Sequence, residues 1–192
     1  MPPTTNRHDA SSRAELWAIF LVGFMGAGKT TVGTALAERL GWRFIDLDDA
    51  IEAHEGRTIA DIFRASGETE FRRAEAEALC SRIEQLDSRN PTVIALGGGA
   101  YAQEPNRRLI KEMAQPVVFL DADANDLMVR CRNQAVERPL LTDENHFRQL
   151  YERRRPAYME ADVCIQTGGK RPAVVVGEIL EVLDLQSKER LT

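Results

Sequence analysis

A glycine-rich loop near the amino terminus carries the strongest chemical signal in the chain. Residues 23–30 read Gly-Phe-Met-Gly-Ala-Gly-Lys-Thr and are followed by Thr31. Glycines let a backbone turn tightly enough to point its N–H groups at phosphate oxygens, and the amino end of a following helix attracts anions. Lys29 can reach the β- and γ-phosphates of a nucleotide, and the Thr30 hydroxyl can ligate Mg²⁺. The motif predicts a nucleotide phosphate site.

Two aspartates form the second chemical set. Asp46 and Asp48 follow a short apolar segment and are two residues apart, so on an extended strand end their carboxylates would share one face. One could belong to the Mg²⁺ shell while the other accepts a proton from, or orients, an attacking hydroxyl. The structural alternative is that Asp48 or Asp49 only caps the next helix.

A run of three glycines, Gly97, Gly98 and Gly99, follows a second apolar segment. A structural turn would need one glycine, whereas three allow a ligand to approach bare backbone N–H groups. We therefore favour a ligand-binding role for the triplet over a purely structural one.

Arginines are the remaining candidates. Arg72 follows Glu68 by four residues, Arg138 lies in a polar loop beside a proline, and residues 153–155 are all arginine. Each has a structural explanation, respectively a helix salt bridge, a loop charge and a cation at a helix end. Spacing alone does not decide between these structural explanations and a role in ligand binding.

The elements that must position these residues alternate between strands and helices. The predicted strands are residues 17–22, 43–46, 92–96, 116–121 and 163–165. The predicted helices are one that carries Val32, Leu36 and Leu40 and is closed by Gly41, residues 51–56, a helix opened by the capping box Thr58-x-x-Asp61, 71–86, 126–132, 147–158 with Pro156 ending it, and 174–185. This alternation predicts an α/β fold with a parallel sheet covered on both faces.

Composition restricts the class of protein. The length of 192 residues fits one domain, and the net charge of −5 argues against a nucleic-acid surface. The three cysteines form no Cys-x-x-Cys pair, and no apolar run reaches the roughly 18 residues of a membrane span. We therefore expect a cytoplasmic protein without nucleic-acid or membrane partners. Residues 1–15 are expected to be a disordered extension, and residues 16–192 a single domain.

These motifs, in this order, resemble those of the shikimate kinases from about residue 16 to residue 185. The resemblance rests on residues 23–33, the Asp46-Leu47-Asp48 segment, residues 59–63, the Gly67-Glu68 and Phe71-Arg72 pairs, residues 97–100, residues 138–141, and the Arg154-x-Pro156-x-Tyr158 pattern. The first motif is common to many nucleoside triphosphatases, but the ordered set is highly specific.

The resemblance implies a fold, a reaction and a cofactor. The fold is a P-loop, nucleoside-monophosphate-kinase-like three-layer sandwich with a five-stranded parallel sheet and a mobile lid at about residues 133–145. The reaction is ATP-dependent phosphorylation of the 3-hydroxyl of shikimate, which gives shikimate 3-phosphate and ADP on the pathway to chorismate and the aromatic amino acids. Mg²⁺ is the cofactor, ATP and shikimate are the small-molecule partners, and a monomer is expected.

The same resemblance implies residue roles. The catalytic residues are Lys29, Asp48 and Arg138, and the metal residues are Thr30 and Asp46. The nucleotide-binding residues are Gly26, Ala27, Gly28, Lys29, Thr30, Thr31, Arg171, and either or both of Arg130 and Arg132. The substrate-binding residues are Asp48, Arg72, Gly97, Gly98, Gly99 and Arg154.

Three other functions compete with this one. Another small P-loop kinase, acting on gluconate or a nucleoside monophosphate, would share the phosphate loop. A GTPase-type switch is disfavoured because the chain contains neither Asp-x-x-Gly nor Asn-Lys-x-Asp. A catalytically silent nucleotide-binding module is disfavoured because Lys29, Thr30, Asp46 and Asp48 are all present.

Overall fold

A five-stranded parallel sheet forms the centre of the molecule, seen here in a computed structural model that describes residues 16–133 and 143–185. Its strands are β1 (Ala18–Val22), β2 (Arg43–Asp46), β3 (Thr92–Ala95), β4 (Val117–Asp121) and β5 (Val163–Gln166), in the order β2-β3-β1-β4-β5. The helices are α1 (Lys29–Leu40), α2 (Leu47–Glu55), α3 (Ile59–Glu84), α4 (Glu104–Glu112), α5 (Ala124–Arg132), α6 (Glu144–Tyr158) and α7 (Pro172–Val182). The predicted α/β architecture with five parallel strands is confirmed.

Burial along the strands explains the layering. Every residue of β1, β3 and β4 is buried, whereas the edge strands β2 and β5 are partly exposed. A strand that is buried on both faces must be covered by helices above and below, which is why these segments read as continuous apolar runs. The result is a three-layer sandwich. Among the described residues, no helix is both long and apolar enough to cross a membrane.

The helix that follows the glycine-rich loop begins at Lys29 and ends, as predicted, at Gly41. Gly28 stands before its first turn with φ of 90°, and Gly41 ends it with φ of 67°, donating its N–H to the carbonyls of Ala37 and Glu38. Both glycines adopt the left-handed conformation that L side chains rarely adopt. Glycine therefore fixes both ends of α1.

Strand register brings the chemical motifs to one edge of the sheet. Asp46 at the end of β2 pairs with Ala95 at the end of β3, and Ala95 pairs with Leu21 of β1. The three strands therefore end level with one another. The glycine-rich loop, the glycine triplet and Asp46 all emerge at this edge, where open α/β sheets bind ligands.

Local structure corrects the prediction for the aspartate pair. The second strand ends at Asp46, and α2 begins at Leu47 rather than at the predicted residue 51. Asp46 is itself the helix cap, accepting the backbone N–H of Asp48 at 3.0 Å. The carboxylate of Asp46 therefore belongs to a helix cap and that of Asp48 to the first turn of α2. The prediction that both lie on one face of an extended strand end is wrong.

Two other helices, α3 and α6, can be compared with the boundaries that the sequence predicts for them. The capping box of Thr58 and Asp61 is confirmed, and the two helices predicted after it form one element, α3, broken at Gly67 with φ of 76° and ψ of −179°. The predicted end of the sixth helix at residue 158 is confirmed, but the prediction that Pro156 ends this helix is wrong, because α6 continues through Pro156 to Tyr158. A proline in the last turn forfeits one backbone hydrogen bond, and the packing of Tyr158 in the core outweighs this loss.

Candidate active site

Two cavities lie side by side along this edge of the sheet. The larger cavity, about 640 Å³, lies between the glycine-rich loop, α2, α3 and the glycine triplet. The smaller cavity, about 400 Å³, lies between the same loop, α5 and the connection from β5 to α7. Gly26, Gly28 and Thr31 line both, so the loop is a common wall.

Steric limits show why the loop is built from glycine. A Cβ atom on Gly23 would lie 2.7 Å from the carbonyl oxygen of Leu120, and one on Gly26 would lie 2.7 Å from that of Leu127. Both glycines also have positive φ, at 147° and 80°. The loop therefore rests directly on the backbone of β4 and α5.

The lysine of the loop lies across the loop itself. The Lys29 Nζ donates to the carbonyl oxygens of Gly23 at 3.0 Å and of Phe24 at 3.2 Å. Lys29 also lines the larger cavity, beside Thr30 and Thr31. Its ammonium is thus held where the loop can present it to an anion.

A hydroxyl and a carboxylate lie together at the junction of α1 and β2. The Thr30 hydroxyl donates to Oδ2 of Asp46 at 2.7 Å, while Oδ1 of Asp46 accepts the N–H of Asp48. Oxygen donors of this kind suit a hard divalent cation, which commonly takes one or two carboxylates together with substrate phosphates. Among the described residues, no group of three acidic, histidine or cysteine side chains could hold a metal. Water and the phosphates of a nucleotide could supply the remaining oxygens of such a cation.

Asp48 lines the larger cavity and adjoins the glycine triplet. A Cβ atom on Gly97 would lie 2.5 Å from Oδ1 of Asp48 and 3.2 Å from Oε1 of Glu75. Gly97 therefore leaves the space that these two carboxyl groups occupy. Nearby, burial raises the pKa of Asp49, and the negative charges of Asp46 and Glu52 raise it further.

Arg72 is fixed by two carboxylates on its own helix. Its Nη1 lies 2.7 Å from Oε2 of Glu75 and its Nη2 lies 2.9 Å from Oε1 of Glu68. Glu75 is only 1% exposed, and its Oε1 has no hydrogen-bond partner among the described residues. Burial raises the pKa of Glu75 even though Arg72 acts to lower it. A Cβ atom on Gly99 would overlap the Arg72 guanidinium, so the third glycine of the triplet accommodates Arg72.

Arg154 approaches the same site from α6. It is 8% exposed, and its Nη1 donates to the carbonyl of Gly98 at 3.1 Å, which also accepts the Tyr158 hydroxyl. Burial lowers the pKa of Arg154, and the neighbouring positive charge of Arg72 lowers it further. The ring of Phe24 lies 5.9 Å from the Arg154 guanidinium. Two guanidinium groups from different helices thus meet beside the glycine triplet.

The opposite wall of the larger cavity is apolar. Ile59, Phe63 and Phe71 line it, and the two phenylalanine rings pack with centroids 4.6 Å apart. The Arg72 guanidinium lies 5.0 Å from the Phe71 ring. The cavity therefore offers an apolar face, two guanidinium groups and a carboxylate to one small molecule.

The smaller cavity separates the two arginine candidates of α5. Arg130 lines it and donates to the carbonyl and hydroxyl oxygens of Thr167, at 2.9 Å and 3.3 Å. Arg132 is not among the residues that line it and instead pairs with Glu144 at 3.5 Å. Arg171 is exposed at the start of α7, where the following residue, Pro172, forms the cavity wall.

The remaining candidates show what sequence reasoning found and missed. The structure brings together Lys29, Asp46, Asp48, Arg72, Arg154 and the triplet. Arg138 and residues 134–142 of the lid predicted at about 133–145 lie outside the described residues. Sequence reasoning missed Glu75 and Thr167. Glu75 had a signal, its spacing of three residues from Arg72 on a helix. Thr167 had none, because its partner Arg130 is distant in sequence.

Comparisons with known proteins identify the family. A family model described as shikimate kinase matches residues 25–184. The shikimate kinase of Persephonella marina is 44% identical over 163 residues, covering 84% of this chain and 96% of that protein. A shikimate kinase of Thermus thermophilus is 40% identical over 168 residues, covering 86% of this chain and 89% of that protein.

Solved structures agree. The structure of shikimate kinase from Acinetobacter baumannii in complex with shikimate matches with a TM-score of 0.80 and 38% identity, covering 92% of this chain and 96% of that one. A gluconokinase from Sinorhizobium meliloti, with a TM-score of 0.60 and 23% identity, shares the fold alone. The chain belongs to the shikimate kinase family, kinases that use ATP to phosphorylate shikimate.

Proposed function

We propose that this protein transfers the γ-phosphoryl group of ATP to the 3-hydroxyl of shikimate, giving shikimate 3-phosphate and ADP. The observation that carries the proposal is the pair of guanidinium groups, that of the half-buried Arg72 and that of the buried Arg154, beside Asp48 and the phosphate loop in one cavity. Shikimate has a carboxylate, a ring and hydroxyl groups, and the cavity offers a complementary group to each.

Charge supports binding of a monoanion in the larger cavity. Arg72 and Arg154 together carry two positive charges, and the buried carboxyl group nearest to them is that of Glu75. The carboxylate of shikimate would pair with the positive charge of Arg154, whose hydrogen bond is to the neutral carbonyl of Gly98. It could form parallel hydrogen bonds with a planar guanidinium. The N–H groups of Gly98 and Gly99 line the same cavity and would add donors, and Gly97 makes room for Asp48.

ATP would lie across both cavities. We assign its phosphates to the loop of Gly26, Ala27, Gly28, Lys29, Thr30 and Thr31, where backbone N–H groups and the helix end favour anions. Its adenine would occupy the smaller cavity between Arg130 and Pro172. Arg132 and Arg171 are not among the residues that line this cavity, and their contact with the base stays a prediction.

The divalent cation that a kinase of this class uses is, we propose, Mg²⁺. Thr30 and Asp46 would hold it through their oxygens together with the β- and γ-phosphates. Bound there, it would neutralise charge on the phosphate oxygens during transfer.

The transfer itself needs one proton acceptor. The 3-hydroxyl oxygen of shikimate bonds to the γ-phosphorus, the bond from that phosphorus to the bridging β–γ oxygen breaks, and ADP leaves. Asp48 accepts the hydroxyl proton, and Lys29 stabilises the charge that develops on the phosphates. We assign Arg138 the role of a further cation at the transferring group.

The same proposal includes a cytoplasmic enzyme that acts as a monomer.

A coupled assay of ADP release tests the proposed function. We expect release that requires both shikimate and a divalent cation, with gluconate and nucleoside monophosphates as poor acceptors. Release that is equally fast without shikimate, or faster with gluconate, would refute the assignment. Removing Mg²⁺ with a chelator should stop the reaction.

A further inference from the structure

Thr167 connects the smaller cavity to the sheet. It directly follows β5 and is 4% exposed. Its backbone N–H and its hydroxyl both donate to the carbonyl oxygen of Asp121, at 2.7 Å and 3.1 Å. The residue is thus anchored to the end of β4 through two hydrogen bonds to one oxygen.

Arg130 binds to the two oxygens of this anchored residue. Its Nη2 donates to the Thr167 carbonyl at 2.9 Å, and its Nη1 donates to the Thr167 hydroxyl at 3.3 Å. The same Nη1 lies 3.5 Å from the carbonyl of Gly26 in the phosphate loop. Thr167 and Gly26 therefore fix the orientation of the guanidinium, because its planar arrangement of N–H donors allows only a narrow range of hydrogen-bond directions.

We infer that the Thr167 hydroxyl is a positioning residue for the nucleotide base: it orients the Arg130 guanidinium in the wall of the smaller cavity. This inference rests on the proposed function, which places adenine there. Because the hydroxyl donates its proton to Asp121, it meets Arg130 as an acceptor. A side chain without that oxygen leaves Nη1, among the described residues, with the longer contact to Gly26 alone. Thr167 therefore controls base affinity without touching the phosphates.

The test compares two ligands that share the phosphate loop. Thr167→Val preserves side-chain shape and removes the hydroxyl. We expect it to raise the Kd for ADP by about tenfold to a hundredfold, as for loss of a hydrogen bond to a charged group. The Kd for inorganic tripolyphosphate, which has no base, should not change. Thr167→Ser keeps the oxygen and should restore most of the ADP affinity. Isothermal titration calorimetry measures each value.

A double-mutant cycle separates positioning from general damage. In an Arg130→Ala background, Thr167→Val should cause no further loss of ADP affinity, because the residue it positions is gone. Thr92→Val is the matched control: it removes another buried threonine hydroxyl, which donates to the Asn90 carbonyl at 2.8 Å at the start of β3. It should lower the melting temperature and leave ADP binding unchanged.

The outcomes distinguish this inference from the proposed function. If Thr167→Val weakens tripolyphosphate as much as ADP, or weakens ADP equally with and without Arg130, the hydroxyl is merely structural and the inference fails. If Arg130→Ala itself leaves the Kd for ADP unchanged, the adenine assignment fails, and the inference fails with it.

Discussion

Arg72 in the larger cavity and Arg130 in the smaller cavity are held by different kinds of partner. In the larger cavity, Arg72 is paired with the carboxylates of Glu68 and Glu75. In the smaller cavity, the contacts of Arg130 among the described residues are with neutral oxygens of Thr167 and Gly26. The positive charge of Arg72 is thus balanced by carboxylates, whereas neutral oxygens only fix the position of Arg130.

This difference matches what each cavity is proposed to bind. A substrate carboxylate needs guanidinium edges, and Arg72 and Arg154 bring two of them to one cavity. A nucleobase is neutral and prefers the flat face of a guanidinium, so hydrogen bonds to the edge do not compete with stacking. Variants of the larger cavity should therefore change acceptor use and leave nucleotide binding intact.

The largest effect is expected for Asp48→Asn. The change keeps the shape of the side chain and removes the proton acceptor, so kcat should fall by about 10²–10⁴-fold. The Kd for ADP should stay at the wild-type value because no nucleotide contact is assigned to Asp48. Steady-state kinetics and calorimetry measure the two quantities. A kcat near that of the wild type would remove Asp48 from the mechanism.

A smaller effect, confined to the acceptor, is expected for Arg72→Lys and Arg154→Lys. Each replaces a planar guanidinium with an ammonium that cannot form two parallel bonds, and truncating a buried charge pair costs about 2–5 kcal/mol. The expected loss in kcat/KM for shikimate is about tenfold to a thousandfold. ATP affinity measured without shikimate should not change.

Two controls accompany these variants. Arg73→Lys alters the neighbouring arginine of α3, which is half exposed and pairs with Glu70 and Glu77, and it should leave shikimate kinetics unchanged. The amide of shikimate should be a poor substrate for the wild type. Equal rates with the acid and the amide would show that no arginine pair binds the carboxylate.

The smallest effect is a change in the pH dependence of stability on Glu75→Gln. Burial raises the pKa of Glu75 above its ordinary value of 4.5, so the folded protein keeps this proton to a higher pH than the unfolded chain does. Stability from this group is therefore fully present below pH 4.5 and is lost as the pH rises through the raised pKa. Urea unfolding at several pH values should show the wild-type advantage over Glu75→Gln shrinking as pH rises.

Glu70→Gln gives a control of opposite sign for that experiment. A hydrogen bond from Arg73 lowers the pKa of Glu70, so its contribution is present above the ordinary pKa and is lost as the pH falls. The wild-type advantage over Glu70→Gln should therefore grow with pH. The same trend for both variants would contradict a buried carboxyl group at position 75.

Local signals explain which parts of the fold could be predicted. The strands, α1 with its closing Gly41, and the Thr58 capping box depend on residues that are neighbours in sequence, and the prediction of each is confirmed. Helix α4 was missed because Leu109 and Ile110 are its only aliphatic residues, too few for a periodic pattern. The predicted start of α2 is four residues late, because Asp46 fits both a strand end and a helix cap.

In the site, too, local motifs predict some residues, whereas others depend on contacts between distant parts of the sequence. The motifs correctly brought Lys29, Asp48 and the glycine triplet to one edge, because parallel strands end together. Arg72 and Arg154 could be named only through the family resemblance, since their spacing fits surface charges equally well. The contact between Arg130 and Thr167 depends on the docking of β5 beside β4, which no local pattern encodes.

The central position of β1 has a consequence for how the protein folds. This strand pairs with β3 and β4, which follow it only after long crossovers, and not with β2, the next strand in the sequence. Such contacts are entropically expensive and form late. The phosphate loop begins where β1 ends, so nucleotide affinity should return in refolding only after the whole sheet has closed. Recovery of ADP binding would then report completion of folding, later than the recovery of helical circular dichroism.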